Sequence, residues 1–88
     1  MGTPSDRAVG SVTVRYWAGA RAAAGVEQDE VADAGTVGAA LAAVTALHPA
    51  LEPVVAVSTL LLDGRAVDRS AALADGALLE VLPPFAGG

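Results

Sequence analysis

The stretch LADGALLEVLPPFAGG, residues 73–88, contains a turn, an apolar run and a tail of small residues. The dipeptide Asp75-Gly76 favours a tight turn. Residues 77–82 then form a short apolar run, interrupted by Glu80 alone, that is typical of a strand. Pro83 and Pro84 stiffen the base of the tail that follows. We therefore predict a last strand over 77–82 and a flexible tail over 83–88.

Two further strands are predicted near the start of the chain. SVTVRYW, residues 11–17, alternates apolar and polar side chains with a period of two. VEQDEV, residues 26–31, is predicted to be a weaker strand with a strongly acidic outer side. AGARAAAG, residues 18–25, carries no large apolar side chain and is interpreted as the connection of a hairpin. Residues 1–10 are polar and contain glycine and proline, so we expect them to be disordered.

A helix is predicted in TVGAALAAVTALHP, residues 36–49, where the apolar period changes from two to nearly four. Thr36 is a suitable N-cap, and the helix should end near His48 because a residue before proline is disfavoured in helical geometry. The stripe facing the core is expected to consist of Val37, Leu41, Val44 and Leu47.

The remaining elements complete an α+β fold. After a loop through Pro53, VSTLLL is predicted to be a buried strand, with a tight turn at Asp63-Gly64 and a short return strand over 65–67. Residues 68–73 cross over to the last strand. The sequence therefore predicts one domain over 11–82, a mixed sheet of about five strands with one main helix packed on one face.

Composition limits the function. The chain has 88 residues, no cysteine, no lysine and a formal net charge of -5. Disulfides and thiolate metal sites are excluded, no metal site is predicted, and the negative charge argues against nucleic acid or an anionic membrane as partner. The sequence has neither an apolar run of about 20 residues nor an apolar signal segment, so we expect a cytoplasmic protein.

This order of strands and helix, together with the free Gly-Gly end, resembles the ubiquitin-like β-grasp sulfur carriers of the MoaD and ThiS type. LADGALLEVLPPFAGG is most similar to the small subunit of molybdopterin synthase, and YWAG and TVGAAL fit the same pattern less specifically. The resemblance covers roughly residues 12–88.

The resemblance implies a chemistry at the carboxylate of Gly88. An ATP-dependent activating enzyme would adenylate that carboxylate, and a sulfur nucleophile would convert it to a thiocarboxylate. The large subunit of molybdopterin synthase would then use the sulfur to build the dithiolene of molybdopterin from cyclic pyranopterin monophosphate. The chain itself would bind no cofactor, ATP being used by the activating enzyme, and would be a subunit without catalytic side chains.

The residue types of the tail suit this delivery. Glycine lacks a Cβ and passes through narrow channels, and prolines reduce the entropy lost when a tail becomes ordered. Extended, six residues reach roughly 20 Å. The arm entering the partner's channel is predicted to be Pro83, Pro84, Phe85, Ala86 and Gly87.

Strand parity predicts a second functional surface. If Val12, Val14 and Tyr16 face the helix, then the alternate residues of the first and last strands face away from it. Large apolar side chains beside charges on such a face are typical of docking sites. We expect the partner interface to contain Arg15, Trp17, Glu80 and Leu82, although Trp17 could instead fold over the edge of the core.

Other functions and motifs remain open at this stage. The carrier could serve thiamine thiazole or cysteine synthesis instead, or the chain could be a ubiquitin-like modifier or an adaptor. His48 is interpreted as a capping or solvent-facing residue rather than a catalytic or metal-binding one. The acidic residues Glu27, Asp29, Glu30 and Asp33 have no calcium-loop spacing and are interpreted as a solvated strand edge that attracts a basic partner.

Overall fold

The computed structural model describes residues 10–84 of the chain. Within these residues, five strands and three helices follow in the order β1 (Ser11–Tyr16), α1 (Ala18–Ala24), β2 (Gln28–Ala32), α2 (Val37–Leu47), α3 (Leu51–Val57), β3 (Thr59–Leu62), β4 (Arg65–Val67) and β5 (Leu78–Leu82). Residues 1–9 and 85–88 lie outside the described part. The disordered start and the flexible tail therefore stay predictions.

The strands form one mixed sheet with the order β2-β1-β5-β3-β4. β1 and β5 are parallel, with Val14 opposite Leu79, and the other pairings are antiparallel. The last strand of the sequence thus lies in the middle of the sheet. This arrangement confirms the predicted α+β β-grasp architecture.

The main helix α2 contributes its apolar stripe to the core beneath the sheet. Thr36 caps it as predicted, since its hydroxyl accepts a hydrogen bond from the Ala39 N–H at 3.2 Å. The helix ends at Leu47 and His48 is its C-cap, with the His48 N–H donating to the Val44 carbonyl. The large buried side chains of the core are Val12, Val14, Tyr16, Val31, Val37, Leu41, Val44, Leu51, Val55, Leu60, Leu79 and Val81.

Leu47 does not belong to this core, and its predicted place in the stripe is wrong. Its side chain is 61% exposed, whereas Val44 is fully buried. At 100° per residue, position 48 lies closer to the line of Leu41 and Val44 than position 47 does. His48 is accordingly half-buried at the end of the stripe, and Leu47 faces away.

Two short helices replace segments that were interpreted as connections. α1 consists mainly of alanine, the residue with the highest helix propensity, and buries Ala20 and Ala24. α3 contains Pro53 at its third residue, inside the first turn, where a missing N–H costs no intrahelical hydrogen bond. Leu51 and Val55, four residues apart, are its buried positions.

The predicted turns and strand limits agree closely with the structure. Asp63 and Gly64 both have positive φ, 49° and 87°, as a two-residue hairpin turn requires. Strand ends differ by one or two residues: Trp17 follows β1, and β2 begins at Gln28 rather than Val26. Val57 ends α3 rather than opening β3, and Ala77 precedes β5.

Candidate functional site

The base of the tail is held by the centre of the sheet. β5 pairs with β1 on one side and with β3 on the other, where Leu82 lies opposite Thr59. Pro83 is half-buried and Pro84 is exposed directly beyond this strand. The chain therefore leaves the fold from a strand that is paired on both sides. Phe85, Ala86, Gly87 and Gly88 lie outside the described residues.

Trp17 lies beside this exit. Its backbone N–H donates to the Val81 carbonyl at 3.2 Å, which fixes it to β5 just before the tail. The indole Nε1–H donates to Glu80 Oε2 at 3.1 Å, and the side chain stays 41% exposed. The ring thus lies toward the side of the sheet that Glu80 occupies, with much of its apolar surface open to a partner.

The remaining predicted interface residues lie on the same side. Arg15 is opposite Glu80 in the parallel pair, and Leu82 follows two positions after Glu80 on β5. The Arg15 guanidinium donates from Nη2 to Gln28 Oε1 at 3.1 Å, so it turns toward β2. Glu80 is hydrogen-bonded to Trp17 instead. The structure therefore brings Trp17 and Glu80 into contact and places Arg15 and Leu82 next to them.

These residues belong to what we call the open face, formed by Thr13, Arg15, Leu61, Leu78, Glu80 and Leu82. All six are half-buried, while their neighbours on β1 and β5 that point the other way are buried. Leu61 pairs with Glu80 and Leu78 with Thr13, so three leucines lie among the polar side chains. Leu61 and Leu78 were not predicted as interface residues, although strand parity places both on this face.

A hydrogen-bonded cluster of Tyr16, Asp29 and His48 occupies the opposite side of the sheet. Asp29 Oδ2 accepts from the Tyr16 hydroxyl at 2.6 Å and lies 2.8 Å from His48 Nε2. Because a carboxylate only accepts, the His48 Nε2 must carry a hydrogen. The tyrosine and histidine rings meet edge to face, with centroids 6.2 Å apart.

This cluster joins β1, β2 and the end of α2. Burial raises the pKa of the Tyr16 hydroxyl above its usual value, and the hydrogen bond to Asp29 and the charge of Asp29 act in the same direction. His48 is therefore not merely a solvent-facing cap, and Asp29 differs from the exposed acids around it. The signal for His48 in the sequence was its position on the buried stripe of the helix.

Neither a metal site nor a membrane span is found in the part of the chain that the structure describes. Residues 10–84 contain no group of three or more His, Asp or Glu side chains suited to hold a metal ion. Within the same range, no helix combines the length and the apolar character that crossing a bilayer requires.

A comparison of the sequence with known families agrees with this fold. The sequence description of the ThiS family matches residues 14–88, most of the chain. The protein belongs to the ThiS family. No curated protein matches the sequence.

Solved structures similar to this ThiS-family chain point to two kinds of protein. SAMP1 from Haloferax volcanii is 34% identical, with a TM-score of 0.82 over 90% of this chain and 100% of that one. A putative molybdopterin converting factor subunit 1 from Pyrococcus furiosus is 26% identical, with a TM-score of 0.76 over 86% and 99%.

A third similar structure shares the fold at lower identity. It is the complex of subunits 1 and 2 of the molybdopterin-converting factor from Helicobacter pylori, 24% identical, with a TM-score of 0.65 over 89% of this chain and 99% of that one. The ubiquitin-like β-grasp fold is thus common to a small archaeal modifier and to molybdopterin-converting subunits.

Proposed function

We propose that this ThiS-family protein is a sulfur carrier that acts through the carboxylate of Gly88 as the small subunit of a molybdopterin synthase. The observation that carries the proposal is the family match extending through Gly88, on a fold whose central strand ends at the base of the tail. The similarity to the Pyrococcus furiosus subunit supports the pathway.

The proposed reaction has two steps, both in the active site of an activating enzyme. The Gly88 carboxylate attacks the α-phosphate of ATP, which forms an acyl-adenylate and releases pyrophosphate. A sulfide-level sulfur nucleophile then replaces AMP, and the leaving AMP takes the carboxylate oxygen with it. The product is a thiocarboxylate, a sulfur nucleophile on a chain that contains no cysteine.

Apart from Gly88, the residues of this chain position its carboxylate and take no part in the reaction. β5, paired on both sides, fixes the start of the tail, and Pro83 and Pro84 restrict its direction. Gly87 and Gly88 lack Cβ atoms and so fit a narrow channel. The open face and Trp17, next to the exit, offer the surface on which the activating enzyme or the large subunit docks.

Two variants of the terminus test the chemistry. Adding one residue after Gly88 replaces the reactive carboxylate by a peptide bond, and deleting Gly88 shortens the arm. Incubated with the activating enzyme, ATP and a sulfur donor, the parent should gain the mass difference between sulfur and oxygen on its C-terminal peptide, while both variants should not. If the extended variant is charged as readily as the parent, Gly88 is not the reactive residue.

A ubiquitin-like modifier is the second candidate, because the similarity to the small archaeal modifier SAMP1 reaches 34% identity over its whole chain. A modifier would join Gly88 to a lysine of another protein, since this chain has none. Recovery of the protein from its own cells separates the two roles. A synthase subunit should return with a large subunit bound non-covalently, whereas a modifier should return in covalent conjugates.

A further inference from the structure

A groove lies on the side of the sheet opposite the open face, between α3 and the short strand β4. Its volume is about 690 Å³, within the usual range of ligand sites. We call its buried or half-buried apolar lining residues, Val55, Leu60 and Val67, the floor, and its exposed residues 68–70 the rim. The lining consists of Val55, Ala56, Ser58, Thr59, Leu60, Val67, Asp68, Arg69 and Ser70.

The rim of the groove is fixed in place by backbone hydrogen bonds to α2. The Gly38 N–H donates to the Arg69 carbonyl at 2.8 Å, and the Val37 N–H donates to the Ala71 carbonyl at 2.9 Å. A Cβ at position 38 would lie 3.2 Å from the Arg69 carbonyl oxygen, so glycine permits this close approach. The groove therefore exists before any occupant binds.

Arg69 is the cationic residue of this groove. It also lines a smaller adjoining cavity of about 290 Å³ between α2 and α3, so it lies where the two spaces meet. Within residues 10–84 its guanidinium makes no ion pair with a carboxylate. The adjacent Asp68 accepts hydrogen bonds from the backbone N–H and the hydroxyl of Ser70. An apolar floor with one such cation suits a ligand that has an apolar group and a carboxylate.

The chain's own tail starts beside the groove. Leu82 pairs with Thr59, a lining residue, and Ser58 lies one position further toward the tail. From β5, the next strands in the sheet are β3 and then β4, so β4 lies roughly 10 Å away at about 4.8 Å per strand. The four residues after Pro84 span up to about 13 Å when extended. Their reach is therefore sufficient to bring Gly88 to Arg69.

We propose that the segment Phe85–Gly88 docks in this groove of its own chain, with the Phe85 ring on the apolar floor and the Gly88 carboxylate on Arg69. In the docked state the carboxylate is withheld from other proteins, and a partner must compete it away. The apparent affinity of such a partner equals its intrinsic affinity multiplied by the fraction of molecules whose tail is undocked. This inference goes beyond the proposed function, since it does not require the tail to carry sulfur.

Amide NMR of the 88-residue protein tests the docking. The variants are a chain that ends at Pro84, Arg69→Gln, and the matched control Arg65→Gln, an exposed arginine on β4 that does not line the groove. Truncation and Arg69→Gln should shift the same amides, those of Ser58, Val67 and Ser70. Arg69→Gln should also lower the ¹H–¹⁵N NOE of Gly87, with a docking constant reduced about two- to fivefold, as for an exposed ion pair.

Arg65→Gln should change neither the groove amides nor the Gly87 NOE. Arg69→Lys keeps the charge and should retain much of the docking, which separates ion pairing from a general effect of substitution. A Gly87 NOE as low in the parent as in Arg69→Gln, with no groove shifts on truncation, would overturn the proposal. Shifts that grow with protein concentration would also overturn it, because the occupant would then be the tail of a second copy.

Discussion

Tyr16 and Trp17 are consecutive aromatic residues with opposite surroundings. Tyr16 is 1% exposed and hydrogen-bonded to Asp29, whereas Trp17 is 41% exposed and hydrogen-bonded to Glu80. The same contrast extends along β1 and β5, whose residues facing the helices are buried and whose residues on the open face are half-buried. Alternation along β1 is thus what separates a residue that holds the fold together from one that is available to a partner.

The two sides should therefore respond differently to substitution. Truncation on the helix-covered side removes packing in a small domain whose total stability is only several kcal/mol. Truncation on the open face removes surface that water already reaches. We expect stability to depend on the first side and association to depend on the second.

The largest effect is expected for Leu41→Ala on α2. Leu41 is 1% exposed in the middle of the core, so its truncation should lower the free energy of unfolding by about 2 to 5 kcal/mol. Leu47→Ala, on the same helix but exposed, is the matched control and should cost less than about 0.5 kcal/mol. Urea denaturation of both variants measures the difference. Equal losses would mean that the helix is rotated from the orientation described.

The next effect concerns the hydroxyl of Tyr16. Tyr16→Phe removes its hydrogen bond to the Asp29 carboxylate and should cost about 1 to 2 kcal/mol at neutral pH, because the acceptor is charged. Asp29 keeps its contact with His48, which limits the loss. Chemical denaturation at pH 7 measures it.

This same hydroxyl predicts an alkaline dependence of stability. The pKa of Tyr16 is raised in the fold, so on a rise in pH above about 10 the unfolded chain loses this proton first. The contribution is fully present below pH 10 and is lost above it, by up to about 1.4 kcal/mol per pH unit. The chain has one tyrosine and no lysine, so the slope is readily assigned. A parent and a Tyr16→Phe variant with parallel profiles from pH 9 to 11.5 would contradict it.

The sequence was sufficient to predict the sheet and the main helix because their large apolar residues repeat at distinct periods. Val12 and Val14 at a period of two, and Val37, Leu41 and Val44 at a helical period, identify which side of each element is buried. The turn at Asp63-Gly64 was predictable for a different reason, since its positive φ angles suit few residues.

The short helices and the histidine cluster were not predictable in the same way. α1 buries only alanines, which leave no apolar period to detect, and the single proline of α3 is as typical of a loop as of a first helical turn. The contact of His48 with Asp29 joins residues 19 positions apart through tertiary packing. The composition of either local segment gives no sign of it.

The smallest effect on stability, and a clear effect on binding, is expected on the open face. Trp17→Ala and Leu82→Ala should each weaken association with the large subunit or the activating enzyme by more than about 1 kcal/mol, as truncation of central interface residues does. Trp17→Ala should change the free energy of unfolding by less than about 0.5 kcal/mol, because the indole is 41% exposed and its hydrogen bond to Glu80 is at the surface.

Titration calorimetry with the purified partner, beside denaturation of each free variant, separates the two quantities. Leu47→Ala, exposed on α2 at the side of the sheet opposite the open face, serves as a control that should leave binding unchanged and stability nearly so. If Trp17→Ala and Leu82→Ala bind as tightly as the parent, the partner docks elsewhere, and the exposed indole then has no role in association. If instead Trp17→Ala unfolds as readily as Leu41→Ala, the difference between Tyr16 and Trp17 is not one between core and surface. Weaker binding with unchanged stability is the outcome that alternation along β1 requires, because it assigns the two neighbouring aromatic side chains to opposite sides of the sheet.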